Sequence, residues 1–227
     1  MIKAILFDID NTLVDFMKMK QKSVESAIDA MISAGLKMNK KEAIKTIEKL
    51  YDKYGIEYYT IFQKFLKKVK GKIDYRLLAY GILAYRKMQD SYIVPYSNVR
   101  STLLELKKRY CLAIVSDAPI MKAWMRLVEM RLDDFFEVIV TKGDAKRQKT
   151  HFAPFRVALK KLNIKPEEAL MVGDRIERDV YTAKKLGIKT CFARYGVNKP
   201  PKPGKSGANF EINDISELLR VLDIEKV

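Results

Sequence analysis

Two aspartates two residues apart, Asp8 and Asp10, close a short apolar run near the amino terminus (FDIDNTL). Open α/β sheets place reactive groups where strands end. Paired carboxylates there are costly unless something positive joins them. A second apolar run, ALMV, leads into Gly173-Asp174-Arg175-Ile176-Glu177-Arg178-Asp179. Asp174 at a strand end and Asp179 in the first helical turn can face one crevice, and N-capping accounts for one of them but not both. A third run, CLAIV, ends in Ser116-Asp117, which alone is ordinary turn chemistry. Asp15 reads as the cap of the next helix. Brought together, Asp8, Asp10, Asp174 and Asp179 need a hard divalent cation, and Mg²⁺ suits oxygen ligands. A carboxylate can also attack phosphorus and form an aspartyl-phosphate. The negative transition state then calls for a positive side chain. Lys149 is the candidate, with Lys142 and Lys146 close by in sequence.

The elements that must carry these residues alternate. Ile2–Phe7, Cys111–Val115, Val138–Val140 and Ala169–Val172 are short runs, apolar on both faces, with a weaker run at Thr190–Phe192. Buried parallel strands have this pattern. Helical spacing fills the gaps at Val99–Lys108, Met121–Met130, Pro154–Leu162 and Ile176–Leu186. The pattern predicts an α/β fold: a Rossmann-like parallel sheet with right-handed crossovers. Residues 16–93 break the rhythm. Phe16–Ala34, Lys40–Tyr54, Glu57–Val69 and Tyr75–Asp90 repeat apolar residues at three and four, punctuated by Gly35, Gly55 and Gly71. A helical insertion of about 75 residues is too long for a loop and must pack as its own unit, an all-helical cap domain. The expected division is 1–15 with 94–227 as core and 16–93 as cap.

With 44 Lys and Arg against 28 Asp and Glu, the chain carries +16. Such a charge raises nucleic acid as a partner, or a Lys-rich solvated surface. Between Lys37 and Arg76 stand 12 basic and 5 acidic residues, so the insertion holds much of the excess. No nucleic-acid motif is visible, which disfavours a nucleic-acid-binding protein. One histidine excludes a multi-His metal site, and two cysteines exclude a disulfide framework. No apolar run approaches 18 residues, so no membrane span is expected, and the cytoplasm is the default setting. GKS within the loop at 197–208 lacks the glycine, strand and helix of a P-loop.

Four segments in order resemble the haloacid dehalogenase superfamily of phosphohydrolases, over nearly the whole chain. FDIDNTL resembles its first motif, which implies Asp8 as nucleophile and Asp10 as general acid and base. Ser116, with Asp117, matches the phosphoryl-binding second motif. Lys149 matches the third, although Thr150 follows it where the family usually has proline. GDRIERD matches the fourth. The resemblance implies Mg²⁺ held by Asp8, the Asp10 backbone carbonyl and Asp174, with Asp179 supporting them. A second aspartate also separates phosphatases from dehalogenases, because an alkoxide leaving group needs a proton and a halide does not. The segments 54–62, 80–85, 131–136 and 166–174 further resemble a group of archaeal glyceraldehyde 3-phosphate phosphatases. The expectation is a phosphatase of small phosphorylated metabolites, monomeric or homodimeric, with a phosphomutase as the alternative.

Overall fold

The structure is a computed structural model describing residues 1–224, so residues 225–227 of the expected core lie outside it. The chain opens with β1 (Ala4–Phe7), buried throughout. It then runs through four helices: α1 (Phe16–Ser33), α2 (Lys40–Tyr54), α3 (Ile61–Lys70) and α4 (Tyr75–Tyr92). Then follow α5 (Val99–Lys107), β2 (Cys111–Val115), α6 (Ile120–Glu129), β3 (Val138–Val140), a single turn α7 (Lys142–Ala145) and α8 (Ala153–Leu162). The last third holds β4 (Ala169–Gly173), a π-helical turn at Ile176–Val180, α9 (Tyr181–Lys185), β5 (Lys189–Ala193), β6 (Phe210–Ile212) and α10 (Glu217–Ile224). No described helix is long and apolar enough to cross a membrane.

Met1–Phe16 and the segment from Ile93 onward form one compact unit, and Met17–Tyr92 a second. The first is built on a six-stranded sheet in the order β3-β2-β1-β4-β5-β6, parallel throughout. Strands buried on both faces tolerate only apolar residues, which is why they were legible as continuous runs. On one face Leu6, Val115, Phe155, Ala158 and Met171 form a core. From β1 the chain steps to β2 and β3 on one side and β4 to β6 on the other. Strand order therefore reverses at the β1/β4 pair, and a crevice opens beyond its carboxyl ends. Register puts Phe7 opposite both Ile114 and Val172, which brings the tips of β2 and β4 to either side of Asp8.

The second unit contains helices and no strand among its residues. Its own core joins Ile28, Met31, Ile47, Phe65, Leu66 and Leu77. The amphipathic spacing of four helices supplies that core, and helices too short to persist alone are held by such burial. Asn39 caps α2 by accepting the Lys41 N–H at 2.9 Å.

Two elements differ from expectation. The sixth strand is only three residues long, Phe-Glu-Ile, and lies beyond the Pro-rich loop, too short for its alternation to register. The helix expected continuously over Ile176–Leu186 begins with a wide π turn, in which the Thr182 hydroxyl donates to the Glu177 carbonyl at 3.0 Å. Such turns are frequent at functional sites, and this one holds Asp179.

Candidate active site

Past Phe7 the backbone knots tightly. The N–H groups of Thr12, Leu13 and Val14 all donate to the Ile9 carbonyl, and Asn11 N–H donates to Val14 O at 2.7 Å. Asn11 takes a left-handed conformation, φ 58°, which asparagine tolerates better than most residues. The segment after β5 braces the knot. Tyr195 donates its hydroxyl to Thr12 O at 2.8 Å, and a Cβ on Gly196 would stand 1.8 Å from Asn11 O. Only glycine permits that approach.

Asp8 stands at the tip of β1, its N–H donating to Val172 O at 3.0 Å. Its side chain is buried, and so are those of Asp174 and Asp179. One carboxylate oxygen from each of the three lies within 4.8 Å of the other two. Lys149 reaches into this group, its Nζ 2.8 Å from Asp8 Oδ1 and 2.6 Å from Asp179 Oδ1. Lys142 and Lys146 are exposed, whereas Lys149 retains 1 % of its surface. Burial alone would lower the Lys149 pKa, but Asp179 and Asp8 together outweigh it and raise the value.

Asp179 earns its place through the π turn. Its Oδ2 accepts the Arg175 N–H at 3.0 Å while Oδ1 faces Lys149, so both oxygens are engaged. A Cβ on Gly173 would lie 2.4 Å from this carboxylate, which is why the strand ends in glycine. Burial raises the Asp179 pKa to about 6, with Lys149 opposing and Asp8 adding to the rise. Asp174 differs. Its Oδ2 accepts a long bond from Asn11 Nδ2 at 3.4 Å, and its Oδ1 is buried without a hydrogen-bond partner. Burial, then the charges of Asp8 and Asp179, push its pKa up to about 8. Three carboxylates face one lysine, and one carboxylate oxygen accepts nothing. This donor set, all hard oxygen, fits a divalent cation such as Mg²⁺.

Ser116 and Asp117 occupy the tip of β2. Ser116 is buried, with its N–H donating to Val140 O at 2.9 Å and its Oγ accepting from Ala118 N–H at 3.2 Å. The Asp117 carboxylate accepts the Lys149 N–H at 2.8 Å and pairs with Arg178 at 3.0 Å. Its negative charge is thus engaged in fixing the Lys149 segment. Asp10 lies on the other flank, its Oδ2 3.0 Å from Arg126 Nη1.

Four participants were not singled out from sequence. Asn11 lies inside FDIDNTL but is neither acidic nor basic. Tyr195 and Gly196 announce nothing by type. Arg126 did carry a signal: it interrupts the apolar face of α6 formed by Ala123 and Leu127, and is buried with them.

Residues 5–193 match the haloacid dehalogenase-like hydrolases as a family. A glyceraldehyde 3-phosphate phosphatase of Pyrococcus furiosus is 35% identical over 226 residues, covering 99% of this chain and 94% of its own. The pyrophosphatase PpaX of Bacillus cereus is 28% identical over 97% of this chain and 96% of its own. A crystal structure of a phosphatase of this superfamily from Thermococcus onnurineus superposes with a TM-score of 0.70 at 27% identity, covering 97% of this chain and 98% of that one. With three buried carboxylates and a lysine gathered at the switch point of such a sheet, and with these matches, the chain belongs to the haloacid dehalogenase-like hydrolases.

Proposed function

We propose that the protein is a Mg²⁺-dependent phosphatase of small phosphorylated metabolites, with glyceraldehyde 3-phosphate or a related small phosphate as substrate, working in the cytoplasm. The observation that carries this reading is the buried Asp8, Asp174, Asp179 and Lys149 cluster at the tips of β1 and β4. The names of its relatives support the phosphate-ester chemistry.

The residues divide the work as follows. An Asp8 oxygen attacks phosphorus, the bond to the leaving oxygen breaks, and Asp10 gives that oxygen a proton. Lys149 and Ser116 hold phosphoryl oxygens as negative charge spreads over them. Asp10, now a carboxylate, takes a proton from water as the water attacks phosphorus, and the Asp8–phosphorus bond breaks to return a free carboxylate. Asp8, Asp174 and the Asp10 carbonyl would hold Mg²⁺, which when bound offsets the negative charge of the carboxylates and the phosphoryl group. Asp179 and Asp117 keep Lys149 in place.

The test is a phosphate-release screen over phosphorylated metabolites and pyrophosphate, with Mg²⁺ or with chelator. Release from a triose phosphate at the highest kcat/KM, at least 10³-fold lower in Asp8→Asn, is expected. Full turnover in chelator, or near-normal turnover by Asp8→Asn, would sink the mechanism. A far better substrate of another kind would overturn the substrate assignment alone.

A further inference from the structure

The segment that follows β5 has no place in the scheme above. A 3₁₀ turn, Arg194–Gly196, leaves the sheet there and lies against the knot after β1. Three successive carbonyls of the knot are held from outside it. Gly196 packs on Asn11 O, the Tyr195 hydroxyl donates to Thr12 O at 2.8 Å, and the Tyr96 N–H donates to Leu13 O at 2.9 Å. The Tyr96 and Tyr195 rings meet edge to face with centroids 5.2 Å apart, which restrains the ring that carries the donating hydroxyl. Gly196 does not take a left-handed conformation, so its missing side chain serves space alone. A Cβ there would strike Asn11 O and would also come within 2.9 Å of Asp174 Cβ. One turn thus backs both the peptide after Asn11 and the side chain of Asp174. Between these two runs the bond from Asn11 Nδ2 to Asp174 Oδ2, at 3.4 Å. Asn11 itself stands at φ 58°, a conformation that persists only where the surroundings over-determine it. The clamp on residues 11–13 supplies that constraint.

We propose that Tyr195 is a positioning residue for the cation site: by holding the Thr12 carbonyl it keeps the turn at Asn11 closed and the Asn11 side chain on Asp174. The proposal rests on the Mg²⁺ reading above. Asp174 accepts from Asn11 through Oδ2 while its Oδ1 has no hydrogen-bond partner, so the asparagine sets how the carboxylate is turned. A carboxylate already held in one orientation loses less freedom when it takes a cation. Tyr195 acts through Asn11 and supplies no ligand atom itself.

The test titrates MgCl₂ into the full chain without substrate and reads the dissociation constant by calorimetry. Asn11→Gly accepts the positive φ and deletes the donor to Asp174, and binding about 10–100-fold weaker is expected. Tyr195→Phe deletes only the hydroxyl and should weaken binding about 3–10-fold. The double variant should bind no more than about 2-fold more weakly than Asn11→Gly alone, because both changes act on one bond. Glu211→Gln loosens the same loop at its far end and should leave the constant unmoved. An unchanged constant in either single variant, even with a lowered melting temperature in chelator, reduces Tyr195 to a structural part and overturns the proposal. Losses that multiply in the double variant overturn it too, as does a loss in Glu211→Gln equal to that in Tyr195→Phe. In each of these cases the cation reading stands if Asp174→Asn abolishes binding. If the wild-type chain takes up no Mg²⁺ at millimolar concentration, it is the cation reading that fails, and this proposal with it.

Discussion

Two carboxylate sites at strands of the same sheet have been treated in opposite ways. At the tips of β1 and β4, three buried carboxylates share one lysine, and Asp174 is pushed up to about 8. On β6, Glu211 stands opposite Phe192 of β5 and is surrounded by donors. It receives Arg194 at 2.8 Å, the Gly204 N–H at 3.0 Å, and from Ser206 both the N–H at 3.1 Å and the hydroxyl at 2.5 Å. Burial would raise the Glu211 pKa, but these bonds outweigh it and bring the value down to about 2. One site has more negative charge than the protein balances, and the other has more donors than a carboxylate needs. The first is short of positive charge, while the second pins a proline-rich loop. The same residue type thus reports function or architecture according to which side of the ledger is short.

The sharpest way to break the contrast is to remove the lone cation of the first site. Lys149→Met leaves three carboxylates buried together, and losing one partner of a buried ion cluster costs about 3–5 kcal/mol. For a chain of this size the melting temperature in chelator should fall by about 6–20 °C. The pH dependence has a definite sign. Asp174 and Asp179 carry folded pKa values of about 8 and about 6, above the unfolded value. They bind protons more readily when folded, so acid relieves the cluster and alkali burdens it. The deficit of Lys149→Met should therefore shrink from pH 8 to pH 5. An equal deficit at both values would mean that the cluster is not short of positive charge.

A smaller effect separates the sites from outside the protein. Mg²⁺ at about 100 times its dissociation constant should stabilise the wild type by about 2.7 kcal/mol, since only the folded chain gathers the ligands. The shift should vanish in Asp174→Asn and persist undiminished in Glu211→Gln. A shift that survives in Asp174→Asn would place the ion elsewhere.

The two sites also differ in how far sequence could reach them. Asp8 and Asp174 were legible because each follows a run apolar on both faces, and such runs end where a parallel sheet opens its crevice. Lys149 was ambiguous beside Lys142 and Lys146, because burial of one lysine among three is decided by packing and not by type. Asp117 was read as part of a phosphate-binding pair with Ser116, while the partners of its carboxylate, Lys149 N–H and Arg178, come from segments 32 and 61 residues away, a proximity no local pattern encodes. Arg126 stood in the open as a charge on an apolar helical face, a signal that needs Asp10 as partner before it means anything. The Glu211 site was missed altogether: its strand is three residues long, and Gly204 and Ser206, which donate to it beside Arg194, sit in a segment read only as loop. Strand ends announce themselves through hydrophobic pattern, whereas loops that serve them do so only through contacts.

The gentlest test concerns that second site. Glu211 is lowered to about 2 in the folded chain, against an unfolded value near 4.3. A group whose folded pKa is depressed adds stability that is complete above the unfolded pKa and is lost as pH falls through the folded one. Glu211 retains 14 % of its side-chain surface, so water screens part of the interaction. The contribution at pH 7 is then about 1–2 kcal/mol. Glu211→Gln keeps the shape and discards the charge, and should lower stability by that amount at pH 7 and by progressively less between about pH 4 and pH 2. Urea unfolding of both proteins at pH 7 and pH 3 measures the difference. The catalytic rate should not move, because the bonds to Glu211 hold the loop at 204–206 and the strand edge rather than Asp8 or Lys149. A constant deficit across pH would show that Glu211 serves through shape alone, and the contrast between an over-supplied carboxylate and an under-supplied one would lose its electrostatic half.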